Sequence, residues 1–369
     1  MNNQRVYIRY VAAIASSLFL MTMFQNCGQS GSIALNQQAA SSALADLPPT
    51  TNTTNYKDYS KVVSVSQASS KVDVLVVIDN SGSMSYEQKN MASRFNTFLS
   101  KLQGLDWQVG ITTTDCDPDT ASTAYRKDGR LLPFNGLNTY LIKSTDDFSM
   151  AQSAFSSTVQ RPANEGSGLE QGVKATYRAL ERSLDPTGPN VGLIRDGAAL
   201  SVILVSDSDE TVTSNSKTGD ESTFGFKNFA QNLYDYVQNT YPGKSFKFSS
   251  IIVRDGDQAC LNFPNSDNEA YGKNYQKLTN MTSGILGSVC ETDYANQLSV
   301  IGDSTTEQVR LVTLDCSPVD SDNNGAVDLV VKDAAGNVLT NYSVSGRMVT
   351  FSQVLPVGNF TFAYRCAAQ

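Results

Sequence analysis

Asp79, Ser81 and Ser83 stand at alternate positions in the stretch DNSGSM. One carboxylate and two hydroxyls are hard oxygen donors, the kind that Mg2+ or Mn2+ takes. They follow the apolar run Val72–Ile78 and precede SYEQKNMASRFNTFLSKL, whose apolar residues recur with a helical period. A tight turn between strand and helix, eased by Gly82, can bring three alternate side chains to one point. Three oxygens are too few for an ion, so others must arrive from elsewhere. Asp207 stands just past the apolar run ending in VILVS, and Ser167 lies in ANEGSGLEQG ahead of another helical pattern. On these residues alone a plainer reading stays open: Ser81 or Ser83 caps the helix that follows.

Composition narrows the chemistry. The 369 residues contain no histidine. That excludes Ser-His-Asp and Cys-His catalysis and every zinc site built on imidazole, while leaving oxygen-ligand sites open. The net charge is −8, and −10 without residues 1–26, which hold Arg5 and Arg9 but no acid. An acidic body lacks the basic stripe that nucleic acid requires, so no nucleic-acid partner is expected; it suits cations or basic surfaces.

The elements that must position these residues alternate. Strands are expected at Val72–Ile78, Trp107–Thr113, Ala199–Ser206 and Phe246–Val253, with a weak one around Ile285-Leu286. The first and third are almost continuously apolar, as parallel strands buried on both faces are. Met91, Phe95, Phe98, Leu99 and Leu102 share a helical face, as do Leu169, Val173, Tyr177, Leu180 and Leu184, and Phe226, Ala230, Leu233 and Val237. The spacing predicts an α/β domain over 71–303, a doubly wound, mostly parallel sheet flanked by helices. Residues 116–147 are turn-rich and read as a loop plus a hairpin edge. After 304 the helical period stops. Gln308–Leu314, Ala326–Lys332, Val338–Val344, Arg347–Phe351 and Asn359–Tyr364 are short strands between turn signals, which predicts a small all-β, sandwich-like domain over 304–369.

In a doubly wound fold, ligands bind beyond the C-terminal ends of the strands, where Asp79 and Asp207 both fall. The pattern Asp-x-Ser-x-Ser, then a hydroxyl after a Gly-rich loop, then Asp after an apolar strand resembles the von Willebrand factor A (VWA) family and its metal-ion-dependent adhesion site. The resemblance covers about 71–303. It implies a Mg2+ or Mn2+ site made by Asp79, Ser81, Ser83, Ser167 and Asp207, with Ser167 standing where the family usually has Thr. It also implies that the serines bind the ion directly and the aspartates partly through water. An acidic residue of a protein partner would complete the shell. The function implied is metal-dependent protein binding or adhesion rather than catalysis. An accessory VWA subunit that recruits partners to an envelope enzyme or assembly complex is the alternative. A hydrolase with a metal-activated water would need more clustered carboxylates than Asp79 and Asp207.

The N-terminus has a basic stretch and then 14 apolar residues, Val11–Phe24, short for a membrane span and suited to a signal peptide over 1–26. QNCGQS follows and resembles a bacterial lipoprotein signal, which implies acylation of Cys27 and outer-membrane anchoring, periplasmic or cell-surface facing. Phe24 and Asn26 depart from the Leu and small residue usual there. Residues 27–70, rich in Ser, Thr, Asn, Gln and Ala, read as a flexible tether, with KVVSVSQASS able to add a short strand. Export permits disulfides: Cys260 with Cys290 and Cys316 with Cys366 are the expected pairs, leaving Cys116 odd.

Weaker features remain. Asp320, Asp322, Asn324 and Asp328 in DSDNNGAVD match a calcium-loop spacing, which would add Ca2+ in the C-terminal domain. Val331 occupies the twelfth position and the flanks are strand-like, so a plain Asn-Gly hairpin turn is favoured. DCDPD (Asp115–Asp119) reads either as a solvated turn or as a border of the metal face, SDE (Ser208–Glu210) either tunes ligand choice or has no part, and Trp107 reads as core.

Overall fold

The computed structural model describes residues 43–50, 55–65, 70–116, 127–162, 166, 168–212, 219–263 and 270–368. Cys27, the signal segment and Ser167 lie outside the described residues. In chain order the elements are β1 (Tyr56–Val65), β2 (Lys71–Ile78), α1 (Ser85–Lys101), β3 (Asp106–Thr113), β4 (Ile142–Lys143), α2 (Phe148–Val159), α3 (Gly172–Arg182) and β5 (Ala199–Val205). Next come α4 (Ala230–Thr240), β6 (Phe246–Ile252), α5 (Gln258–Leu261), α6 (Lys273–Met281), β7 (Leu286–Ser288) and α7 (Ala295–Glu307). The last are β8 (Leu311–Thr313), β9 (Leu329–Lys332), β10 (Val338–Leu339), β11 (Tyr342–Ser345), β12 (Met348–Phe351) and β13 (Gly358–Ala367). No helix among the described residues is long and apolar enough to cross a membrane.

The chain divides into two compact units. The first comprises Ser66–Leu311 with Gln353–Leu355. Its six-stranded sheet has the order β4-β3-β2-β5-β6-β7, with β4 antiparallel to β3 and the other pairs parallel. The alternation of side chains along β2 explains the double layer. Val72, Val74, Val76 and Ile78 join one core with Met91, Phe95 and Phe98 of α1, Phe155 of α2 and Ile301 of α7. Leu75 and Val77 join the other with Val173 and Leu180 of α3, Leu233 of α4 and Leu278 of α6. Both faces are apolar, so the run carries no alternation in its sequence. Trp107 is buried in the first core, as expected.

Asp73 interrupts that run and is wholly buried. Burial raises its carboxyl above the usual range, and Arg195 opposes the rise. The Arg195 amide donates to Asp73 Oδ2 at 2.7 Å and its Nε to Oδ1 at 2.7 Å. The same guanidinium reaches Asp106 and the Val72 carbonyl, so one side chain ties the starts of β2 and β3 to the turn before β5.

The second unit is built on β1, Val312–Ser352 and Pro356–Gln369. It holds a four-stranded antiparallel sheet, β1-β13-β9-β10, and a three-stranded sheet, β11-β12-β8. Phe351 of β12 meets Phe362 of β13 edge to face, joining the two sheets as a sandwich does. Both expected disulfides are present, Cys260–Cys290 in the first unit and Cys316–Cys366 in the second, and Cys116 is free and buried.

Several expectations are corrected. The last part of the supposed tether is β1, which pairs along its whole length with β13 from Tyr56↔Ala367 to Val65↔Gly358. The boundary at 303 falls inside α7, which runs to Glu307. Val338–Val344 is two strands, β10 and β11. Leu184 and Phe226 lie outside their helices and are 59% and 66% exposed. The Asn-Gly hairpin is absent among the described residues, because β9 pairs with β10 and β13 and not with a strand ahead of the loop.

Replacing Asp73 by Ala leaves the Arg195 guanidinium, one-fifth exposed, without its buried partner. We expect a loss of about 3 kcal/mol, read as a lower urea midpoint at unchanged slope, with Asp73→Asn losing less because the amide oxygen still accepts the Arg195 N–H.

Candidate functional site

The parallel ladder continues past the strand ends and fixes the loops there. The Asp79 amide donates to Val205 O at 3.0 Å, Thr114 N to Ile78 O at 3.1 Å, and Ser206 N to Ile251 O at 3.1 Å. Asp79, Thr114 and Ser206 are thus neighbours on one rim. The segment ahead of α3 is tied to the same rim. Gln171 N donates to Thr114 O at 3.1 Å, Thr211 N donates to Glu170 O at 2.7 Å, and Asp115 bridges Glu170.

Asp79 is fully buried. Its Oδ1 accepts the Ser81 amide at 2.8 Å and its Oδ2 the Ser206 hydroxyl at 2.6 Å. Its carbonyl accepts Gln88 Nε2 at 2.8 Å, so α1 braces the turn from below. Residues Gly82–Met84 form a short 3-10 turn leading into α1. Ser81 is the N-cap of that turn by backbone position, yet its side chain makes no capping bond, and the residue capping α1 is Met84. The hydroxyls of Ser81 and Ser83 instead face each other at 3.0 Å. Adjacent ligands around Mg2+ at about 2.1 Å stand about 3.0 Å apart. The serine pair shares a hydrogen bond whose length equals one octahedral edge, and the helix-capping alternative falls for Ser81.

Asp207 is buried beside Ser206, the donor that holds Asp79. Ser167 lies outside the described residues, and its neighbour Gly166 lies within them. A Cβ built on Gly166 would lie 2.0 Å from Asn80 O, so only glycine lets that loop touch the DNSGSM turn. The structure thus gathers Asp79, Ser81, Ser83 and Asp207 on one rim and brings the Ser167 loop against it. Asp115 is on the same rim, while the rest of DCDPD lies outside the described residues.

The sequence reading missed four residues that shape this rim. Ser206 is the direct partner of Asp79. Glu87, in the first turn of α1, is buried, and its carboxyl is pushed up to about 7 by burial, with Asp79 adding to the rise. Glu87 Oε2, Thr113 Oγ1 and Ser208 Oγ are buried with no hydrogen-bond partner among the described residues. Such atoms are rare in folded proteins.

Asp209 and Glu210 are the other two. Asp209 Oδ1 accepts Asn274 N at 3.0 Å and Oδ2 accepts Asn274 Nδ2 at 3.0 Å, which holds the first turn of α6. Glu210 accepts Val173 N at 2.8 Å, Lys174 N at 3.2 Å and Asn228 Nδ2 at 2.7 Å, which holds the first turn of α3. Unsatisfied amides at helix N-termini are natural partners for carboxylates. SDE therefore locks the loop carrying Asp207 to two helices. Burial still dominates: it pushes Asp209 up to about 7 and Glu210 up to about 8.

No family model matches the chain, and no curated protein matches it. Solved structures resemble it at low identity. Proximal thread matrix protein 1 from the mussel byssus is 12% identical, covers 67% of this chain and 50% of its own, and aligns with a TM-score of 0.40. The pilus adhesin SpaC of Lactobacillus rhamnosus GG is 12% identical over 85% of this chain and 42% of that one, with a TM-score of 0.33. Manganese-loaded TRAP protein of Plasmodium vivax is 12% identical over 62% and 76%, with a TM-score of 0.28. The chain spans about half the length of the thread matrix protein.

Glu210 gives a pH test. The folded state keeps its proton up to about pH 8, whereas an unfolded glutamate releases it near 4.5. The folded state therefore binds more protons between those values, so this contribution is full below 4.5 and is lost as pH rises through 8. Glu210→Gln imitates the protonated form. Relative to this variant, the wild type should lose stability steadily from pH 5 to pH 8 in chemical denaturation; parallel curves would refute the assignment.

Proposed function

We propose that the α/β unit is a VWA-type module that binds a protein partner through a divalent cation, Mg2+ or Mn2+, at the rim where β2 and β5 end. One observation carries this reading: the Ser81 and Ser83 hydroxyls converge at 3.0 Å beside an Asp79 whose carboxylate is held by Ser206, the residue before Asp207. Ser81 and Ser83 would hold the ion directly, Asp79 and Asp207 would stand behind them as acceptors, and Ser167 would add a further hydroxyl. The bound ion supplies a concentrated positive charge. An acidic side chain of the partner is the group that such a charge, exposed on a rim, attracts.

Binding is favoured over catalysis. The chain has no histidine to serve as general base, and Asp79 and Asp207 are fewer carboxylates than a two-metal hydrolase gathers. The two disulfides support an exported protein. We place it at the bacterial envelope, held to the outer membrane by a lipid on Cys27.

Calorimetry with Mg2+ and with Mn2+ should give a binding isotherm for the wild type. Asp79→Ala and the milder Ser83→Ala should weaken it by on the order of 10–100-fold or more, with circular dichroism unchanged. Capture of the partner should fail with Asp79→Ala and on chelation. A wild type that binds neither metal, or an Asp79→Ala protein that still captures its partner, removes the proposal.

A further inference from the structure

The loop between β8 and β9 carries the acidic run DSDNNGAVD, which the α/β rim does not use. One carboxylate oxygen from each of Asp320, Asp322 and Asp328 lies within 4.8 Å of the other two. Oxygens bound to one Ca2+ at 2.3–2.6 Å span at most about 5 Å. The three acids therefore already stand at the spacing of a calcium shell. Exposed acids cluster often without an ion, so this alone decides nothing.

Asp328 adds the deciding observation. Its side chain is 1% exposed. Its Oδ2 accepts from the Ser321 hydroxyl and from Arg365 Nη1, the latter at 3.3 Å. Its Oδ1 is buried with no hydrogen-bond partner among the described residues. A carboxylate oxygen withdrawn from water without a donor is costly, and a cation among the neighbouring acids removes that cost. Arg365 does not supply the missing charge. Its Nε and Nη2 are committed to Asp58 at 2.6 and 3.1 Å, so its charge is shared with a fourth carboxylate. Of the three acids only Asp328 meets that guanidinium, so the cluster as a whole stays negative.

The loop is also built in advance. Gly325 N donates to Asp320 Oδ2 at 2.8 Å and Asn324 N to Asp320 Oδ1 at 3.1 Å. These bonds curl the chain, with Asn323 and Gly325 at φ +60° and +91°. The base is closed by Asp328 N on Val319 O at 2.7 Å and Arg365 N on Asp328 O at 3.1 Å, one residue from the Cys316–Cys366 bridge. Oxygen donors without nitrogen or sulfur favour a hard cation. Three carboxylates in a compliant loop favour Ca2+ over Mg2+, which keeps its waters and demands a stricter octahedron.

We propose that Asp320, Asp322 and Asp328, with Asn324 as a fourth donor by its place in the spacing, bind Ca2+ and brace the β8–β9 loop against β13. The test is calcium calorimetry and thermal unfolding of the full exported chain in excess Mg2+, which occupies the separate α/β rim. Calcium is carried to about 10 mM, above the ~10⁻⁴–10⁻³ M range of extracellular modules. The wild type should bind one Ca2+ and unfold at a higher temperature. Asp328→Ala risks misfolding, so the variant is Asp322→Asn at a half-exposed loop position, which keeps an acceptor for Asn324 N and gives up only the bond from Asn324 Nδ2. It should lose calcium affinity on the order of tenfold or more while its calcium-free midpoint stays at the wild-type value. Asp79→Ala should leave the calcium response intact. No calcium response in the wild type, an unchanged affinity in Asp322→Asn, or a response abolished by Asp79→Ala would each overturn the proposal.

Discussion

Withdrawing carboxylates from water is the constraint on which the α/β unit depends. Asp79, Glu87, Asp115, Glu170, Asp207, Asp209 and Glu210 are all at most 5% exposed. A buried acid must be bonded, neutralised or compensated. Asp209 and Glu210 are bonded to the first turns of α6 and α3, and Asp79 to Ser206 and the Ser81 amide. At the opposite end of the sheet the same problem has another answer, because Asp73 meets the guanidinium of Arg195. A fixed cation at one end and a collection of acids held by amides and hydroxyls at the other is an asymmetric design.

The way these acids are bonded also makes the rim rigid. Asp207, Asp209 and Glu210 fall within four consecutive residues, yet the last two bond residues 65 positions later and 37 positions earlier in the chain, in the first turns of α6 and α3. A loop held at both hands cannot drift. Preorganisation of this sort leaves little ordering to be done on binding, which is what the proposed site requires. Helix amides thus do for the loop after β5 what Gln88 does for the turn after β2.

What was legible in the sequence follows from locality. β2 and β5 are buried on both faces and advertise it as continuous apolar runs. The DNSGSM turn is a local pattern, and so is the strand-end position of Asp207. The roles of Ser206, Asp209 and Glu210 were not legible, because their partners are backbone amides and a carboxylate brought close only by the sheet. α7 escaped notice because its buried face includes Ser304, Thr305 and Thr306, which blur the apolar period. Thr305 and Thr306 return their hydroxyls to the carbonyls of Ile301 and Gly302, so the polarity is satisfied inside the helix. Only the second half of β1, within KVVSVSQASS, was legible as a short strand; its first half escaped because β1 is mostly half-exposed and polar, and the partner that makes it a strand is β13.

That pairing has a consequence for how the chain is assembled. The β unit draws one strand from before the α/β segment and the rest from after it, so its four-stranded sheet cannot close until the whole intervening segment exists. Closing so long a loop costs entropy, although the cost grows only slowly with length. The return comes at one place. Arg365 of β13 takes Asp58 of β1 with two bonds and also reaches Pro48 O, while its neighbour Cys366 is bridged to Cys316. Lys61 of β1 reaches Asp315 beside that bridge. The contacts that recruit β1 are charged and directional, as an edge strand with little apolar surface requires, and they gather around the residues that also hold Asp328. The N-terminal strand, the disulfide and the acidic loop are therefore parts of one clamp on β13, and a change in any of them should be felt by the other two.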